Sequence, residues 1–456
     1  MTDMFQRATA ARRSGGPARR LRLPKPSRET WALLGAGLAL RIAYVLLVHP
    51  GGAAPSSDSI AYDELAWNLA RGMGFQLMGE SAPYPTAKAP LLPWLVSLVY
   101  RATGHVFMAA LLVQAVLGAF VPLLVRALGR SMFNPPVGRV AGWLAVGHPL
   151  LVFFSGYLLT ENLFGVVVLA ALLASTAWIK RPRAGAAFGA GLLWGLAALT
   201  RPSALPLPAI VAVWAWAPLG LSLRPGERTR QVMTLLLGTA LAIAPWTARN
   251  ALVLGEFVPI TTGGGRTLLD ANNPVVWDDP AQRGGAISTA EHEPWRSRWR
   301  NLSEMDVDRV AGAEAVEFGL SRWRQWPQVA WAKFSRFWRL RALTPTTGRW
   351  FQPGSLPDRL LALADPLLAW SLVVFPCALW GLARTLRFSR RHFQLLPLVV
   401  IAVFTAGALV FWGALRMRVP AEPMILLYAA VGMLDLSRRL RARRAGLELV
   451  GGPPAS

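Results

Sequence analysis

The chain has 456 residues, 54% of them hydrophobic and only 16% charged, with a net charge of +24. Soluble domains carry about 25% charged residues, so this composition excludes an ordinary soluble enzyme. The Lys and Arg lie in short segments flanking apolar blocks, which excludes a nucleic-acid-binding module with one basic face.

A single cysteine, Cys377, leaves no intramolecular disulfide and no thiolate metal set. The five histidines, His49, His105, His148, His292 and His392, are scattered without ligand spacing. No glycine loop followed by Lys-Ser/Thr is present. No cofactor is expected, and the sequence gives no support for a divalent metal.

In chain order, residues 1–30 are Arg-, Pro- and Gly-rich and read as a disordered basic tail. Apolar blocks long enough to cross a hydrocarbon core follow at about 31–48, 106–128, 137–155, 161–179, 185–200, 203–220, 231–247, 363–383, 395–413 and 420–436. The expected fold is an all-α polytopic membrane protein with about ten spans (10–13). A shorter apolar stretch, Pro90 to Tyr100, reads as an interfacial or re-entrant helix.

The domain plan is a membrane module over 31–247 with a first outer loop at 49–105. An outer region over 248–362, C-terminal spans over 363–436 and a basic tail over 437–456 complete it. Arg126, Arg130, the run Lys180 to Arg183, Arg224 to Arg230, Arg384 to Arg391 and Arg438 to Arg444 fall on one side under alternating spans. The positive-inside rule makes that side cytoplasmic, together with both termini. Most of the 24 acidic residues then face outward, into the two long loops.

The first outer loop contains Ser57-Asp58-Ser59 and then Tyr62 to Arg71, closed by Gly72 and Gly74. Tyr62, Leu65, Ala66 and Leu69 share one helical face, with Asp63, Glu64 and Arg71 mostly opposite, as in a helix lying on a membrane surface. Asp58 reads either as a helix cap or as a carboxylate at the interface. Lys88, between Pro85 and Pro90, is the only lysine of this loop. It reads as a snorkelling side chain or as a cation for a lipid phosphate.

Glu161, in Leu159-Thr160-Glu161-Asn162, opens the fourth span. A helix dipole favours an acid there, and an ionisable group at a span's edge is also a functional candidate. Arg41 lies inside the first span, while Arg201, Arg416 and Arg418 break the positive-inside pattern by facing outward. They pair with Glu161, Glu422 or backbone carbonyls, or together make a cationic cup for an anionic headgroup. Trp323, Trp326, Trp331 and Trp338 recur among arginines in helices broken at Pro327, as an interfacial belt or as sugar-stacking platforms.

From about Arg41 to Pro423 the sequence resembles the C-type membrane glycosyltransferases. Among them it is similar to bacterial family 39, the protein O-mannosyltransferases and the lipid A aminoarabinose transferase. The matching pieces are Ser57-Asp58-Ser59-Ile60-Ala61-Tyr62, Ala87-Lys88-Ala89-Pro90-Leu91, Leu159-Thr160-Glu161-Asn162 and Leu199-Thr200-Arg201-Pro202. Pro245 to Asn250, Gly263 to Gly265 and Asn272-Asn273-Pro274 continue the order. Ala89 stands where the family has a proline.

The resemblance implies a polyprenyl-phosphate-sugar donor, an acceptor hydroxyl on a glycan, lipid or protein, and a bacterial inner-membrane location. It implies Asp58 as general base, Glu161 as a second catalytic carboxylate, and Lys88, Arg201, Arg416 and Arg418 as phosphate contacts, with Arg41 and Tyr62 in support. Two readings compete with a transferase: a lipid-sugar flippase or secondary transporter, and a lipid-binding scaffold. Nothing in the sequence selects the sugar or the acceptor.

Overall fold

A computed structural model describes residues 27–49, 58–78, 83–84, 86, 88–217, 221–340, 365–389 and 391–445. Two units divide the chain: 1–32, whose described residues 27–32 begin a helix, and 33–456, which holds the rest. The expected tail over 1–30 therefore lies mostly outside the described residues, as do 341–362 of the outer region and the last residues from 446 on.

Among the helices are α1 (Arg28–Val48), α2 (Asp58–Ala70), α3 (Leu91–Thr103), α4 (Phe107–Met132), α5 (Pro135–Val146), α6 (Glu161–Lys180), α7 (Ala184–Thr200), α8 (Pro206–Trp216) and α9 (Pro225–Leu254). They continue with α10 (Gly264–Ala271), α11 (Glu304–Ser321), α12 (Trp326–Phe337), α13 (Pro366–Phe388), α14 (Leu396–Val410), α15 (Leu415–Arg418) and α16 (Glu422–Arg444). A two-residue hairpin, Leu77–Met78 paired with Pro83–Tyr84, is the only sheet among the described residues. The protein is an all-α polytopic membrane protein.

Each expected span coincides with a helix. Seven of the described helices are long and apolar enough to cross a membrane, and α5 with Pro149–Gly156 makes an eighth that bends by 53°. Ala184–Thr200 and the helix ending at Trp216 are apolar but shorter. α9 runs to Leu254, past the expected end near 247, so Arg249 and Asn250 are helical rather than loop. It accommodates Pro245 internally and stops at Gly255, whose φ of 72° is the left-handed cap glycine adopts without strain.

Small residues bring the helices together, as membrane packing requires where lipid is as apolar as the side chains. A Cβ on Gly191 of α7 would lie 2.0 Å from Leu235 O of α9, and one on Gly238 would lie 2.4 Å from Phe188 O. Gly381 and Gly432 make the same kind of crossing between α13 and α16, where a Cβ would meet carbonyl oxygens at 1.9 Å. The second crossing seats α16, and so the segment before it, firmly in the bundle.

Arg41 shows how a charge is kept inside such a bundle. It is fully buried, and its guanidinium donates to Gly37 O (3.1 Å), Ala145 O (3.4 Å) and Val146 O (3.5 Å). The α5 helix breaks just there, because Pro149 has no N–H to offer the Ala145 carbonyl. The arginine satisfies acceptors that the break leaves over. That is the backbone-pairing alternative for Arg41, and it supports the fold rather than the site.

Candidate active site

The polar residues gather at one end of the bundle, where α2, α3 and α6 begin and α7 finishes. Asp58 is the first residue of α2, Glu161 the first of α6, Arg201 the residue after α7, and Arg416 lies in α15. Lys88 stands just ahead of α3. Five of the residues singled out in the sequence thus meet.

Lys88 Nζ donates to Asp58 Oδ1 at 3.1 Å. Arg416 donates through Nη1 to Asp58 Oδ2 and through Nε to Glu161 Oε1, the latter at 2.5 Å. Arg201 Nη1 reaches the same Glu161 oxygen at 3.2 Å, and its Nη2 lies 3.5 Å from Met417 Sδ. The Tyr62 ring lies 5.5 Å from the Lys88 ammonium, within cation–π range, so Tyr62 supports the cation from α2.

Exposure grades the two carboxylates. The Asp58 side chain is 41% exposed and that of Glu161 1%, with Lys88 and Arg416 between them at 24% and 25%. Glu161 is therefore an anchor for two arginines, and its Oε2 is buried without a hydrogen-bond partner. Asp58 is the carboxylate that a molecule outside the bundle can reach. Burial by itself raises the Asp58 pKa, but Lys88 and Arg416 outweigh it and hold the carboxyl well below the usual carboxylate range.

Arg418, expected among the phosphate contacts, is not at this site. It is fully buried, donates to Glu422 Oε1 at 2.6 Å and to the carbonyls of Phe337 (3.1 Å) and Arg339 (2.7 Å), and stacks over Phe375. Glu422 also faces His148 Nε2 at 3.2 Å. The reason is the helix turn: residues two apart do not share a face, so Arg416 and Arg418 of α15 diverge. Asp63 also departs from expectation. It is buried, accepting from Tyr100 Oη and facing His105 Nε2 at 2.9 Å, so α2 ties to α3 through its polar side.

Three residues that no motif marked come together at Thr86, two positions before Lys88. Thr86, Thr262 and Glu304 share hydrogen bonds, Thr86 Oγ1 lying 2.9 Å from Glu304 Oε1 and 3.0 Å from Thr262 Oγ1. Neither threonine stands in a distinctive pattern. The one signal was Ser303 followed by acids, which marks the start of α11 without saying what it touches. Of the four tryptophans, Trp323, Trp326 and Trp331 are exposed and Trp338 half-buried. The helices break at 322–325, ahead of Pro327, which is the second residue of α12.

Residues 87–247, about a third of the chain, match the model of the dolichyl-phosphate-mannose-protein mannosyltransferase family. Among solved structures, the chain is similar to the archaeal oligosaccharyltransferase AglB from Archaeoglobus fulgidus, in complex with an inhibitory peptide and a dolichol-phosphate. The TM-score is 0.57 at 13% identity, over 92% of this chain and 52% of that one. The fold is that of the C-type membrane glycosyltransferases. The Archaeoglobus fulgidus enzyme tethered to an acceptor peptide gives the same TM-score, 0.57, at 13% identity over 91% and 50% of the two chains. A weaker likeness, TM-score 0.43 at 15% identity over 93% and 82%, runs to ArnT from Cupriavidus metallidurans bound to undecaprenyl phosphate. This chain spans about half the length of the oligosaccharyltransferases it matches. No curated protein matches its sequence.

In the C-type fold of this chain the charge cluster lies at helix ends beside the polar loops, and the matched segment 87–247 includes Lys88, Glu161 and Arg201. Asp58 and Arg416 come from outside that segment and complete it.

Proposed function

We propose that the protein is a glycosyltransferase that moves a sugar from a polyprenyl-phosphate donor to an acceptor hydroxyl on the non-cytoplasmic face of a bacterial inner membrane. One observation carries the reading: an accessible carboxylate, Asp58, held between the Lys88 ammonium and the Arg416 guanidinium at a bundle end. The family description and the dolichol-phosphate of the Archaeoglobus complex favour the same donor chemistry.

The charges suit that donor. Three cations, Lys88, Arg201 and Arg416, stand against two carboxylates, Asp58 and Glu161. One positive charge is left over, and the phosphodiester of a lipid-linked sugar carries one negative charge. The exposed charged groups sit at helix ends, which favours a membrane-surface site over the midplane site of a transporter.

The sequence of events follows from these contacts. The donor phosphate draws Lys88 and Arg416 away from Asp58 and weakens their hold on its carboxylate. With its cations so occupied, the Asp58 pKa climbs back towards the range of a working base. Asp58 accepts the proton of the acceptor hydroxyl as that oxygen attacks the anomeric carbon. The bond from that carbon to the phosphate oxygen breaks, and the phosphate leaves with the electron pair, its charge stabilised by Lys88 and Arg416. The transition state is oxocarbenium-like, and attack opposite the leaving phosphate inverts the anomeric centre. Glu161 does not exchange a proton; it keeps Arg201 and Arg416 in place.

Deletion of the gene and analysis of cell glycans and glycolipids tests this reading. The expected result is a lipid-linked sugar that accumulates and a glycoconjugate that disappears, restored by the wild-type chain but not by Asp58→Asn. Full restoration by Asp58→Asn would remove Asp58 from the mechanism.

A further inference from the structure

Lys88 lies outside the helices, yet it is held in place from both sides. Downstream, Ala89 is buried in a small apolar cluster with Ala198, Leu199, Ile243 and Ile260. Upstream, Thr86 is fully buried, and its backbone N–H donates to Glu304 Oε2 at 3.3 Å. Its hydroxyl donates to Glu304 Oε1 at 2.9 Å, and the buried Thr262 hydroxyl donates to that same oxygen.

Glu304 thus collects three donors, one N–H and two hydroxyls, from two loops. A carboxylate is the group for this place, because both of its oxygens only accept. A glutamine would bring one acceptor and an NH2 group against a backbone N–H that can only donate. Helix capping does not account for Glu304 either: Ser303 caps α11, its Oγ accepting from Asp306 N at 3.1 Å. Residues 86 and 304 are 218 positions apart, so the contact joins the first loop to the outer region.

We propose that Glu304 is a positioning residue that, through Thr86 and Thr262, fixes Lys88 opposite Asp58 and thereby sets affinity for the lipid phosphate. This rests on the reading that Lys88 meets the donor phosphate. The outer region then takes part in building the site: the first residue of α11 determines where a site cation stands.

The test is a double-mutant cycle on the full chain in lipid nanodiscs, with polyprenyl phosphate as the probe and its dissociation constant as the readout. Lys88→Ala is expected to weaken binding about tenfold or more, since a charge-assisted phosphate contact is lost. Glu304→Ala is expected to weaken it about fivefold on its own and to have no further effect in the Lys88→Ala background. Thr262→Val, a milder change that keeps the fold if Glu304→Ala does not, is expected to weaken it about threefold and to lose that effect in the same background.

Wild-type affinity in Glu304→Ala and Thr262→Val, with Lys88→Ala impaired, would overturn the positioning role alone. So would effects that persist undiminished without Lys88, because those mark general loosening. Unchanged affinity in Lys88→Ala would overturn the donor-site reading and this proposal with it.

Discussion

Arg416 Nε lies 2.5 Å from Glu161 Oε1, across 255 positions of the chain, and the same guanidinium turns its Nη1 to Asp58. One arginine therefore bridges the buried carboxylate and the accessible one. The arrangement makes α15 a part of the site, although its four residues form barely a turn.

Glu161→Gln tests the anchor. It leaves Arg201 and Arg416 without the buried charge that both use. Breaking a buried pair by removing one partner costs about 3–5 kcal/mol. Thermal unfolding in detergent should show a clear loss of stability, with weaker lipid-phosphate binding in the fraction that stays folded.

Arg416→Met and Arg418→Met should separate two roles that stand two residues apart. Arg418 is sealed between Glu422 and the carbonyls of Phe337 and Arg339. Its loss should destabilise by about 3–5 kcal/mol while leaving lipid-phosphate affinity per folded molecule unchanged. Arg416→Met should reduce that affinity about tenfold or more, since it removes a charge-assisted contact. Unfolding curves and binding to the same preparations check both.

That contrast marks where sequence reading stops. The helices were legible because apolar blocks of span length leave few alternatives, and Asp58, Lys88, Glu161 and Arg201 were legible as charges at the ends of such blocks. Arg416 and Arg418 looked alike, because nothing in Leu415-Arg416-Met417-Arg418 says which way each side of a short helix faces. The Glu304 contact was hidden for a different reason. Threonines and a glutamate in polar loops are ordinary, and only tertiary structure brings positions 86, 262 and 304 together. Arg41 was visible as an intramembrane charge, but two of its three partners, the carbonyls of Ala145 and Val146, lie at the break that Pro149 makes in another helix.

Gly413→Val tests how the segment before Arg416 is held. A Cβ at Gly413 would lie 1.9 Å from Lys333 O, and its N–H donates to Gly284 O at 2.9 Å. A side chain must push this segment off α12, at about 1–3 kcal/mol for such overpacking. Lipid-phosphate affinity should fall with stability, because Arg416 follows three residues later.

Lys333 gives a pH signature. It is buried and donates to Asn272 Oδ1 at 2.8 Å and Val410 O at 3.1 Å. Burial brings its pKa down to about 8 from an ordinary 10.5. Between those values the unfolded chain holds the proton that the folded chain has released, so stability gains as pH rises through that window. Below about 8 both states are protonated and the gain is absent. The difference in unfolding temperature between wild type and Lys333→Met should therefore move in favour of wild type from pH 8 to pH 10.5.

The most direct measurement compares wild-type protein with Asp58→Asn in nanodiscs, following both binding of a labelled polyprenyl-phosphate sugar and transfer of its sugar to an acceptor extract. The account predicts that the variant binds the donor at least as well as wild type, having lost a carboxylate that competes for Lys88 and Arg416. Transfer should be slower by about 10²–10⁴, the contribution of a general base. Transfer at the wild-type rate would contradict it.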